Sequence, residues 1–156
     1  MNTTNYPLTL LYDGNCPVCN LEMDNLWERN HAGLLRFIDI TAPDFDPAPY
    51  KATLAEMNAL IHAQRPDGSL VIGVEVFRLA YSAVGLGSYT RFTGWPVFKP
   101  IVDLAYALFA RNRYAASRIA RPLITWIAAR RALKRSKACA ESHCALPTSH
   151  SERNAS

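Results

Sequence analysis

The spacing of apolar and polar positions changes several times along the chain, and each change marks an element. Leu8 to Tyr12 is a run of strand-type residues, apolar except for Thr9, that ends in the turn Asp13-Gly14-Asn15; it reads as a strand. From Pro17 the period lengthens. Leu21, Met23, Leu26 and Trp27 fall mostly on one side of a helix, Glu22, Asp24, Glu28 and Arg29 are polar, and Gly33 supplies a stop. Leu34 to Ile40 reads as a second strand. Pro43, Pro47 and Pro49 then impose a loop. Tyr50 to Ala59 is a short helix with Leu54 and Met57 inward, while Leu60 to Arg65 and Ser69 to Ile72 flank Pro66-Asp67-Gly68 as a hairpin. Gly73 to Val84 returns to helical spacing, with Val76, Phe77, Leu79 and Ala80 buried, and Gly85 and Gly87 end it. Two further helices are predicted, Pro100 to Ala110 and Tyr114 to Lys134, the second bent at Pro122. From Ser136 to Ser156 the residues are small and polar, which predicts disorder.

The order β-α-β-α-β-β-α suits an α/β fold: a four-stranded mixed sheet with flanking helices, its first two strands parallel and its last two antiparallel, followed by a helical extension. The expected divisions are a domain over 6–118, a basic amphipathic helix over 119–135 and a disordered tail over 136–156.

Composition adds one asymmetry. Residues 1–110 hold 7 basic and 11 acidic side chains, whereas residues 111–137 hold 9 basic and none acidic. That basic stretch interleaves Arg118, Arg121, Arg130 and Arg131 with Ile119, Leu123, Ile124, Trp126, Ile127 and Leu133. Such a helix either packs its apolar face on the domain, the reading preferred here, or lies on an anionic membrane surface. No nucleic-acid motif accompanies it, and a basic run alone is nonspecific. The start Met1 to Asn5 carries no positive n-region, and no window reaches the roughly 18 apolar residues of a spanning helix. A cytoplasmic, soluble protein is therefore expected. Four cysteines are too few for a disulfide scaffold in a chain of 156 residues.

The chemistry gathers where the first strand hands over to the first helix. Cys16 and Cys19 are two residues apart, and Pro17 stands at the first helical position, where its missing N–H costs nothing. Unpaired N–H groups and the positive end of the helix dipole favour a thiolate at Cys16, and Cys19, one turn on, is within reach for a disulfide. Cys16 is thus expected to be the exposed attacking thiolate and Cys19 the resolving thiol. The same spacing also serves zinc. Cys139 and Cys144, with His143 between them, could complete such a site, giving a zinc-stabilised binding module as the alternative to a redox pair. Asp13 suits either a general base that takes the Cys19 proton or, more plainly, an Asx turn ahead of the helix.

Tyr12-Asp13-Gly14-x-Cys16-Pro17-x-Cys19 resembles the signature of the DCC family of thiol-disulfide oxidoreductases, whose Asp, Cys and Cys fall here on Asp13, Cys16 and Cys19. Phe37-x-Asp39-Ile40, His62 ahead of Pro66-Asp67-Gly68, Gly73-x-Glu75-x-Phe77, Trp95-Pro96, Ala105-Tyr106 and Ala110-Arg111-Asn112-Arg113-Tyr114 extend the likeness over about residues 8–118. The resemblance implies a thioredoxin-like fold and a redox role that needs no bound cofactor. Its partners would be a disulfide or dithiol substrate and a reductant. Thioredoxins place a cis-proline just before the third strand, opposite the cysteines; residues 51–65 contain no proline, so that wall must be built otherwise. His62 is read as a satisfied strand histidine. Arg111, Asn112 and Arg113 either pair with acidic residues of the domain or bind an anionic ligand.

Overall fold

In the computed structural model, which describes residues 3–142, β1 (Leu8–Tyr12) is the central strand of a four-stranded sheet ordered β2-β1-β3-β4. β2 (Leu35–Asp39) runs parallel to β1, with Leu8 opposite Leu35 and Tyr12 opposite Asp39. β3 (His62–Gln64) is antiparallel to β1 on the other side, and β4 (Leu70–Ile72) closes the hairpin. This is the mixed sheet that the element order predicts, and with its flanking helices it is thioredoxin-like.

The central position of β1 explains its composition. Leu8, Leu10 and Tyr12 point to one side, into a core with Met23 and Leu26 of α1 (Pro17–Arg29) and with Val76 and Ala80 of α3 (Val74–Ala83). Leu11 points the other way, onto Ile40 and Met57 of α2 (Leu54–Ala59). A strand buried on both faces has no polar side to show, so alternation is lost. α2 begins four residues later than its apolar residues suggest. Thr53 and Glu56 form a reciprocal capping box that fixes the start. A short α4 (Gly87–Thr90) and a 3-10 turn over Arg91–Gly94 fill the stretch after α3.

The C-terminal half departs from expectation. Instead of two helices and a tail from Ser136, one helix, α5, runs from Lys99 to Ser142 and carries Pro122 inside it. Residues 110–114 contain no Gly or Pro, so nothing there stops a helix once it has begun. The preferred packing of its distal apolar residues on the domain is also corrected. Ala110, Arg113 and Ser117 are buried, but beyond Ser117 no described side chain is; Ile119 is 82% and Trp126 53% exposed. The 3.6-residue period places Ile119, Leu123 and Trp126 on the side of α5 opposite Ala110 and Ser117. Trp126 carries the Arg130 guanidinium over its ring at 4.0 Å. Trp126→Ala should therefore shift stability by no more than about 0.5 kcal/mol in a thermal or urea melt, the scale of a surface change. No described helix is long and apolar enough to cross a membrane. The remainder of the tail, with His143 and Cys144, lies outside the described residues.

Candidate redox site

The turn after β1 is built by two side chains that accept backbone hydrogen bonds. Asp13 Oδ1 accepts from Asn15 N–H at 2.9 Å, the Asx turn anticipated from Asp-Gly-Asn. Asp39, set beside the turn by its pairing with Tyr12, accepts from Gly14 N–H at 2.9 Å and from the Thr41 N–H and hydroxyl at 2.8 and 2.7 Å. A Cβ on Gly14 would run into the Asp39 carboxylate, so the glycine is required by close approach. Cys16 follows as the N-cap of α1, with Pro17 at the first helical position as the sequence predicts.

Cys16 and Cys19 are joined as a disulfide, their Cα atoms 5.2 Å apart. Cys19 N–H also donates to Cys16 Sγ at 3.3 Å. A sulfur usually caps a helix weakly, but as a thiolate it would meet both this donor and the positive helix end. The two cysteines are bonded to each other, so in this state neither has a sulfur free for zinc. Cys139 falls within the range of α5, and Cys144 lies outside the described residues.

One expectation needs correction. Cys16 is at the helix start but is not exposed: its accessible surface is 0%. α5 packs against α1, the helix that Cys16 opens. The guanidinium of Arg113 donates to Asp13 Oδ2 at 2.7 Å, and Tyr114 donates its hydroxyl to the same oxygen. Both groups tie α5 to the turn that holds the cysteines. The Asp13 and Arg113 side chains are only 2% and 9% exposed, so this is a buried ion pair. Of the two roles read for Arg113, pairing with an acidic residue of the domain is the one observed.

Cys19 is only partly buried, and it lines a cavity of about 240 Å³ together with Asp13, Arg113, Val18, Met57, Phe77 and Phe109. Tyr106 of α5 supplies the wall that the missing proline left open. Its hydroxyl accepts from Ile61 N–H, just before β3, at 3.1 Å, and its ring meets Phe77 edge-on. Burial pushes the Tyr106 phenol up from its ordinary value, with the Ile61 bond and Arg113 acting against that shift, so it stays protonated at neutral pH. Glu22, on the same cavity, accepts from Tyr81 at 2.6 Å; burial first, and then this carboxylate, push Tyr81 up to about 12. His62 is buried in β3 with its Nδ1 2.9 Å from the Leu60 carbonyl, a satisfied histidine as read from the sequence.

Sequence reasoning left Tyr106 and Tyr114 without roles. Both stand in stretches that carry the family likeness, but neither has a local pattern that points to residues about 45 and 100 positions earlier.

A protein of Arabidopsis thaliana, described as an uncharacterized chloroplastic protein, is 35% identical over 144 residues, which cover 88% of this chain and 64% of that relative. The chain thus spans a little under two thirds of the relative's length. No solved structure gives a significant match. The model of the DCC1-like thiol-disulfide oxidoreductases matches residues 10–119, from β1 to just past Ser117, the last buried side chain among the described residues of α5. With the C-P-V-C pair disulfide-bonded at the head of α1 and the Asp13 turn locked beside it, this chain belongs to the DCC1-like thiol-disulfide oxidoreductase family.

Proposed function

We propose that the chain works as a thiol-disulfide oxidoreductase, passing two electrons between the Cys16–Cys19 pair and a disulfide or dithiol substrate, with a separate reductant completing the cycle. The observation that carries this reading is the pair itself. The two cysteines are one turn apart at a helix start, where the disulfide closes without moving the backbone and an opened Cys16 sulfur keeps a donor at 3.3 Å. Reduction breaks one S–S bond, takes up two electrons and leaves Cys16 as the stabilised thiolate. Re-formation needs the Cys19 proton to leave. Asp13, on the same cavity wall, is the acceptor we assign, in addition to its part in the turn. The proposed setting is the cytoplasm, where a protein disulfide is usually transient and catalytic.

The test is to reduce the purified full chain with dithiothreitol, remove the reductant and add an external disulfide. Alkylated thiols are then counted by mass at each stage. The expected result is two thiols on Cys16 and Cys19 after reduction and none on re-oxidation, through several rounds. A pair that stays locked in either state would refute the reading.

A further inference from the structure

We propose that Cys19, rather than Cys16, is the sulfur that forms the mixed disulfide, and that its partner is a small, apolar, aromatic-sized thiol or disulfide seated in the cavity beside it. The inference rests on the oxidoreductase reading and adds to it the point of attack and the class of substrate.

Exchange at a disulfide needs the incoming thiolate to approach one sulfur from the side opposite the bond being broken. Cys16 has no accessible surface, so nothing reaches its sulfur from outside while the fold stays as it is. Cys19 is partly exposed and stands on the wall of the cavity, which Cys16 does not line. In the first step a substrate thiolate attacks Cys19 Sγ. The new bond joins substrate sulfur to Cys19, the Cys16–Cys19 bond breaks, and its electron pair goes to Cys16. The leaving sulfur lands where Cys19 N–H and the head of α1 stabilise a thiolate, and a better-stabilised thiolate leaves faster. A second substrate thiolate then attacks the substrate sulfur of the mixed disulfide. Its products are the substrate disulfide and a Cys19 thiolate that takes a proton from water. Two substrate thiols have lost two electrons and the protein disulfide has gained them. In reverse, Cys19 opens the substrate disulfide and Cys16 attacks inward, onto Cys19, to close the pair.

The cavity sets the class of partner. Val18, Met57, Ile61, Phe77, Tyr106 and Phe109 give it an apolar lining. Its charged groups are already engaged: Asp13 with Arg113, and Glu22 with Tyr81. No charge among these is left to receive an ionic substrate. Ile61 N–H, a donor this wall would otherwise offer to an extended peptide, is taken by Tyr106. A volume of about 240 Å³ accommodates a substituted ring, since an apolar cavity of about 150 Å³ holds benzene.

The experiment compares Cys16→Ser and Cys19→Ser, reduced and then exposed to 2,2′-dithiodipyridine or to glutathione disulfide, with adducts located by peptide mass mapping. We expect the aromatic label to reach Cys19 at least tenfold faster than it reaches Cys16. For Cys19 the aromatic reagent should also be preferred to glutathione disulfide at least tenfold, after division by the rates of both reagents with 2-mercaptoethanol. Should a variant melt abnormally, substoichiometric N-phenylmaleimide on the reduced wild type decides the same question, and Cys19 should be labelled first. Earlier labelling of Cys16, or equal normalised rates with the two disulfides, would overturn this inference while leaving the oxidoreductase reading intact. A wild-type pair that does not cycle with dithiothreitol would sink both.

Discussion

Arg113→Ala should lower the stability of the protein by about 3–5 kcal/mol, the cost of removing one partner from a buried ion pair. The Asp13 carboxylate would remain in place, almost without access to solvent, with Tyr114 and the Asn15 N–H as its donors. The loss should show as a lower urea midpoint with an unchanged slope. Asp13→Asn on that background provides the internal check. It keeps an oxygen for Asn15 but removes the unpaired charge, so much of the lost stability should return. If Arg113→Ala alone lowers stability by less than about 1 kcal/mol, the pair is as solvent-screened as a surface bridge, and α5 is not held as described.

Turnover should fall more than tenfold in both Cys16→Ser and Cys19→Ser, because the remaining thiol of the pair can form a mixed disulfide but leaves its release to an external thiol. The two variants should fail differently. With the external disulfide alone, each ought to form an adduct at the remaining cysteine of the pair, in an amount set by access to that sulfur. The relevant assay is steady-state exchange between dithiothreitol and an external disulfide, with the adduct weighed by mass spectrometry. A variant retaining a tenth or more of wild-type turnover would mean that a second dithiol outside the α1 turn carries electrons.

The elements governed by neighbouring residues are legible in the sequence. The run Leu8 to Tyr12 has to be a strand, Pro17 has to open a helix, and Pro66-Asp67-Gly68 has to turn a hairpin; each is found. The parallel first pair and antiparallel last pair follow from connection length alone. What cannot be read is decided by contacts distant along the chain. The face of α5 toward the domain carries Tyr106, Ala110, Arg113 and Ser117, a small and polar set that breaks hydrophobic periodicity although these residues are wholly or largely buried. Conversely, its conspicuous apolar residues, Ile119, Leu123 and Trp126, are exposed. An apolar stripe thus reads as a core face, and a true contact face as a gap between helices. The burial of Cys16 has the same origin. Local sequence places it correctly at a helix start, but the turn ahead of it is tied to α5 by side chains 100 and 101 residues from Asp13.

The central claim, that Cys16 and Cys19 form one reversible two-electron couple, is tested most directly by a redox titration of the full chain. The protein is equilibrated over a series of dithiothreitol ratios, the thiols are trapped by alkylation, and the occupancy of each cysteine is read by peptide mass. A single transition is predicted, in which Cys16 and Cys19 change together and the ratio of disulfide to dithiol protein changes tenfold for about every 30 mV, as a two-electron couple requires. Independent transitions at the two cysteines, or none across the whole series, would contradict the account.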